Sequence, residues 1–464
     1  MPDATPTPSS PARTGRVKDD ANPTRAWRRY EPSARCPWGL ARAAHLYRRA
    51  GLGATWGELQ QALTLGPQRT IDRLLKPPAD VDSYNRTCDD IEKAVTSAEA
   101  LRAWWLRRMA QTPQPLLEKL TLFWHDFFAV SAARVEHVAL FRAYLQRLRA
   151  GAFGDYRTLL AQAARDPAVL MSLGAQANRK ARPDEHLARQ LLHRYTVGPD
   201  RCSEQDVREA SRAMTGWFVL RQELRYFPRE HDAGPKTVLG KTGTLDAAGV
   251  VALAAGHADT ARSLVRRLYR WFISEADEPD EALLAPLSET FAKDFDVGRL
   301  VETMLRSNLL FSAAAIRRRI KRPVEFALGI VRGFEATVGT LRLAADLAAL
   351  GEDLCSPPTS SGWAGGRHWI NPASLLARSN LAASLLAPAG AYDGRCDPAA
   401  VARRHGRAEA QPAGRLLADL LLQPDQTDGT FERLWQAAPS DGPLPQRLRE
   451  FARRVVTQPE FQFA

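Results

Sequence analysis

The stretch SEQDVREASRAMTGW places Asp206 and Glu209 three residues apart, with Arg212 three further on. On a helix turning about 100° per residue, Val207, Ala210, Met214 and Trp217 form an apolar stripe, and the two carboxylates face the other side. Paired carboxylates near a cation are suited to general acid–base chemistry or to ligand binding. Ala213 and Gly216 share that acidic side, where a solvated face would carry longer polar residues. Small residues there admit close approach by a loop, a neighbouring helix or a ligand. The same charges also read as an internal ion-pair network, which must be fully hydrogen-bonded to be tolerated beside a core.

Two further stretches supply partners. In PDEHLARQLLHRYTVG, Glu185 and Arg189 stand at i,i+4, the spacing that brings helix side chains together. In REHDAGPKTVLG, His231 and Asp232 alternate in direction if extended, so they do not form a dyad. Asp232 two residues before Gly234 fits an Asx turn, and Lys236 can reach an acidic face. The expectation is a polar cleft made by the 184–197 helix, the 203–217 helix and the 231–236 loop. Asp206, Glu209, His231 and Asp232 are its candidate catalytic groups. Glu185, Arg189, Arg212, Trp217 and Lys236 are its candidate substrate-binding groups. The cationic members point to an anionic or sugar-like substrate, handled by a hydrolase-like or transferase-like enzyme. Among recognised motifs there is no phosphate loop, dinucleotide fingerprint, HExxH or GxSxG, and no metal or cofactor is named.

Helices must position these groups. TWGELQQALTLG carries a capping box, Thr55 with Glu58, and a stop at Gly66. TSAEALRAWWLRRMAQ repeats it with Thr96 and Glu99. QPLLEKLTLFWHDFFAV has an apolar stripe including Leu116, Leu120, Phe123, Trp124, Phe127 and Phe128. His125 lies off that stripe and reads as a hydrogen-bonded structural residue. Period-two alternation appears only at WFVLRQELRYF, which predicts one short β-hairpin near 218–227. The expected fold is all-α with orthogonally packed helices. Residues 1–30 read as a disordered lead-in and 31–464 as one helical domain, with a flexible insertion at 390–412. GWAGGRHWIN offers Trp363 and Trp369 as an exposed aromatic patch if the protein is a binding partner or scaffold.

The chain has 464 residues and a net charge of +12, almost all of its basic surplus being arginine. The basic residues are spread along the sequence without interleaved aromatics, so nucleic-acid binding is not expected, and RRRIKR (317–322) reads as a solvated helix face. Five widely spaced cysteines, with no CxxC, read as free thiols. No apolar run approaches a membrane span, and the N-terminus lacks an apolar signal region, so a cytoplasmic location is expected.

Several blocks together resemble the bacterial domain-of-unknown-function family 1800: RRMAQTPQPLLEKLTLFWHDFF, DEHLARQLL, SEQDVREASRAMTGW, HDAGPKTVLG, RPVEFALG and PPTSSGWAGGRHWIN. The resemblance implies an uncharacterised activity and a partner with an alkaline-phosphatase-like fold encoded nearby. It also exposes departures. Phe127 stands where the family tends to have histidine, Gln190 and His193 where it has glutamate, and Tyr195 where it has histidine. Asp184 and His186 replace asparagines. Asp206, Glu209, Arg212, His231, Asp232 and Lys236 follow the family pattern. A divergent enzyme and a degenerate, binding-only member are both implied.

Overall fold

The computed structural model describes residues 22–76, 81–423, 429–440 and 442–464. Helices dominate, and one cluster of buried apolar side chains runs from Ala26 to Phe461. Of the expected lead-in, residues 1–21 lie outside the described residues. Residues 22–30 are packed: Asn22 caps a short helix, Trp27 Nε1 donates to the Leu283 carbonyl at 2.6 Å, and Tyr30 is buried. Residues 390–412 contain the Pro398–Arg404 helix and bury Tyr392 and Cys396.

The local grammar explains the helix ends. Thr55 and Glu58 form the capping box, and the chain kinks at Gly66 (φ 77°) just before Pro67. The next cap is Ser97 rather than Thr96: its hydroxyl accepts from the Ala100 N–H at 3.1 Å. The helix Pro115–Phe128 is buried almost all round. His125 is therefore not on a flank. It is fully buried among Trp105, Phe141, Tyr144 and Trp363, and neither ring nitrogen has a hydrogen-bond partner.

Two expected helices are shorter than their patterns. Ser203 and Asp206 close a capping box, but the helix covers only Glu204–Ala213. Gly216 then takes φ +89°, and Trp217 begins a strand. The 184–197 segment is α-helical over His186–Arg189 and continues as a π-helix over Gln190–Tyr195. The wider π turn changes the direction of its last side chains, a feature frequent at functional sites.

Strands β1 (Trp217–Leu220) and β2 (Glu223–Tyr226) pair antiparallel, as the alternation predicts. A second hairpin, β3 (Lys236–Val238) with β4 (Lys241–Gly243), was not expected. Its strands are three residues long, too short to show alternation. Its turn residues Leu239 and Gly240 have φ of 48° and 75°, and those of the first hairpin, Arg221 and Gln222, have 51° and 68°. Both are positive-φ turns without the Asn-Gly or Asp-Gly pair that normally signals them.

Candidate functional site

The three expected segments meet. Arg212 joins two of them: its Nη1 donates to Glu209 at 2.8 Å and its Nε to Asp232 at 2.8 Å. Asp206 accepts from the Ser203 N–H and hydroxyl, and its other oxygen accepts from the Leu239 N–H at 2.7 Å. Asp232 also accepts from the Gly234 N–H, the Asx turn, and its own N–H donates to the Thr215 hydroxyl. His231 Nδ1 lies 3.0 Å from the Thr215 carbonyl. Lys236 is buried and its Nζ donates to the carbonyls of Asp232 and Gly234 at 2.5 and 2.9 Å.

The small residues have their reason here. A Cβ on Gly216 would meet Tyr226 Cε2 at 2.9 Å and the Phe227 carbonyl at 3.0 Å. The close neighbour of the acidic side is thus the protein's own hairpin. The Arg212 hydrogen bond holds the Asp232 carboxyl down to about 2, and burial lowers the Lys236 ammonium. Glu185 and Arg189 pair at 2.8 Å, and Arg189 also binds Glu204. Trp217 lies under the Arg165 guanidinium at 6.0 Å. Each charged group of the set is met by another protein group.

A different set of residues surrounds an open cavity of about 420 Å³. Its floor holds Arg319 and Arg322 of the RRRIKR run, which is not a helix. Arg319 and Arg322 are 2% and 3% exposed and lie in a non-helical segment before Pro323. Arg319 Nη1 donates to both Glu325 oxygens at 2.8 and 2.9 Å, and Lys119 completes that ion pair. Arg322 Nε donates to Glu352 at 2.6 Å, and its Nη1 lies 3.3 Å from Asp126. Three indoles enclose the Arg322 guanidinium: Trp271, Trp363 and Trp369, with centroids 5.3, 5.1 and 5.5 Å from Cζ. Trp363 and Trp369 are each 7% exposed, so the expected exposed aromatic patch does not form. The two rings turn inward because a caged cation needs them.

Asp126 ties the indole loop to the aromatic helix, since its Oδ1 accepts from the Trp363 N–H at 3.0 Å. Gly362 makes this approach possible: a Cβ there would sit 2.6 Å from both the Asp126 carbonyl and Oδ1. The π turn adds Arg194, whose Nε and Nη2 donate to the carbonyls of Phe127 and Asp126 at 2.9 and 3.0 Å. Arg267 adds a second guanidinium, which donates to the Arg194 carbonyl at 3.2 Å. Neither makes an ion pair among the described residues. Burial lowers the Arg194 guanidinium, and burial followed by Arg194 repulsion pushes Arg267 down to about 10. Arg367 and His368 stand exposed at the rim. Glu275 spends one oxygen on the Ile320 N–H at 2.7 Å.

The family described as Protein of unknown function (DUF1800) matches residues 45–463. The chain belongs to this family. Neither a curated protein nor a solved structure matches it. Two positions where this DUF1800 chain departs from the resemblance meet at the cavity. Phe127 lines it, with its centroid 5.2 Å from the Arg267 Cζ and 5.7 Å from the Tyr195 ring. Tyr195 is buried behind it, its hydroxyl donating to the Phe128 carbonyl at 3.1 Å. Gln190 and His193 lie on the same π turn. Among the described residues no three His, Cys, Asp or Glu gather closely enough to hold a metal ion. No helix among them is long and apolar enough to cross a membrane.

Sequence reasoning missed the arginine–tryptophan cavity. Its signal was the cationic run at 317–322 together with Trp271 in YRWF and the two indoles of GWAGGRHW. Cations and aromatics interleave here only in space.

Proposed function

We propose that this DUF1800 protein binds an organic anion in the arginine–tryptophan cavity. One observation carries the reading: Arg194 and Arg267 converge on the cavity, held by backbone carbonyls and the Phe127 ring, with no ion pair of their own among the described residues. The nearest counter-charge to both is Asp126, which Arg322 already shares; a desolvated cation so poorly compensated is costly, and a bound anion supplies the missing charge. Guanidiniums fixed in place by carbonyls and packed on the Phe127 ring are also pre-organised, so little ordering is left for the ligand to impose. The cavity lining contains no serine, threonine, cysteine or lysine. Proton exchange with a bound ligand would fall to Asp126, Glu275 or His368.

In this reading the Asp206–Lys236 cluster is a clamp. Arg212 and Asp206 pin the second hairpin to the Glu204–Ala213 helix, and the ion pairs of Arg189 hold that helix to the start of the π turn carrying Arg194. The cluster acts on the ligand only through Arg194.

The test is thermal unfolding with a panel of small aromatic ligands of different charge. A ligand that binds only the folded state raises the midpoint by mass action. Benzoate and phenyl phosphate raise it, while phenol and benzylamine leave it unchanged. Arg194→Gln abolishes the response. Equal responses to anionic and cationic ligands contradict the proposal.

A further inference from the structure

The charge balance of the cavity goes further than the sign of its ligand. Three of the six arginines around it have carboxylate partners. Arg322 has Glu352 and Asp126, Arg319 shares Glu325 with Lys119, and Arg270 has Glu278. Arg194, Arg267 and Arg367 have no carboxylate partner among the described residues. Against these three stands one lining carboxylate that makes no ion-pair contact among the described residues, Glu275. The open part of the site therefore carries a surplus of two positive charges.

The walls add donors and almost no acceptors. Arg322 Nη2 and Trp271 Nε1 are buried without a hydrogen-bond partner, and both side chains border the cavity at 3% and 7% exposure. Gly365 and Gly366, with φ of 69° and 54°, leave the rim beside Glu275 free of side chains. A carboxylate or sulfate ester neutralises only one of the surplus charges. A phosphate monoester ionised twice neutralises both and presents three acceptor oxygens to converging guanidiniums.

Resting on the anion-binding reading above, we propose that the ligand's head group is a phosphate dianion, seated between Arg194 and Arg267 and closed by Arg367 at the rim. The shared chemistry of a phosphate ester and of free inorganic phosphate is this head group.

The test is a set of calorimetric titrations of the full chain with phenyl phosphate, phenyl sulfate and inorganic phosphate. Phenyl sulfate is a monoanion throughout, so it reports any titration of the protein's own groups, His368, Glu275 and Asp126 included. At about pH 7.5 phenyl phosphate binds at least about tenfold more tightly than phenyl sulfate. Near pH 5, where the second phosphate ionisation (pKa of about 6) is reversed, the two differ by less than about twofold. The exposed Arg367→Ala, which leaves the buried network intact, weakens phenyl phosphate about fivefold and phenyl sulfate by less than twofold. Inorganic phosphate binding as tightly as the ester assigns the site to the free ion, and weaker binding assigns it to an ester. Equal affinity for the phosphate and sulfate esters overturns the dianion inference and leaves the anion-binding reading standing. No binding of any anion removes both.

Discussion

Arg267 Nη2 donates to the main-chain carbonyl of Arg194 at 3.2 Å, so two guanidiniums share one wall of the cavity. Like charges placed together and half-buried destabilise the free protein. Arg267→Met keeps an unbranched apolar stem and removes the charge. It raises the stability of the ligand-free protein by about 1 kcal/mol in denaturant unfolding, because a buried charge with only a shared counter-charge is replaced by an apolar chain. Lower stability in the variant means that the fold itself compensates the Arg267 charge in full.

Asp232 tests the clamp. It accepts from Arg212 and from the Gly234 N–H, and its side chain is 18% exposed. Asp232→Ala releases the 231–236 segment and costs about 1–2 kcal/mol. Phenyl phosphate affinity falls by less than about threefold, measured at a temperature where the variant is folded. A loss of affinity beyond about a hundredfold with unchanged stability places Asp232 in the ligand site instead.

Gly362 is where the indole loop meets Asp126. Its φ is +76°, and a Cβ would overlap the Asp126 carbonyl and carboxylate. Gly362→Ala costs more than about 1 kcal/mol and displaces Trp363, which appears as a shift in tryptophan emission. An unchanged spectrum and stability would contradict the described contact.

His125 gives a pH dependence. Burial, then the Arg322 charge, lowers it to about 3. In the unfolded chain an imidazole titrates near 6.5, so between these values the unfolded state binds the extra proton. Stability is therefore complete above about pH 6.5 and is lost as pH falls toward 3. At about pH 5 the loss is about 2 kcal/mol. In His125→Leu this part of the acid slope disappears. An acid slope equal to that of the unsubstituted protein would show that His125 is protonated or hydrogen-bonded in the folded state.

Helix identity was legible because caps and apolar stripes are local. Thr55 with Glu58 and Ser203 with Asp206 fix their termini through neighbours three residues away. The convergence of Asp206, Arg212 and the 231–236 segment was legible too, since small residues at Ala213 and Gly216 announced a close neighbour. The turn to the π-helix at Gln190 was not, because its apolar positions fit an α-helix equally well over one turn. The cavity was hidden for a related reason. The arginines of 317–322 look solvated in sequence, and become a floor only when Glu352 and Asp126 arrive from distant segments and Glu325 turns back on Arg319. His125 was misplaced because its helix is buried on the polar side of the wheel as well.

The most direct measurement is the dissociation constant of phenyl phosphate for the unsubstituted protein and for Arg267→Gln, by calorimetry at about 20 and about 200 mM NaCl. Glutamine keeps a donor and removes the charge. A charge-assisted hydrogen bond contributes about 1.5–3 kcal/mol, so the variant binds about ten- to a hundredfold more weakly and with a shallower dependence on salt. Equal constants and equal salt slopes for the two proteins would contradict the cavity as the anion site.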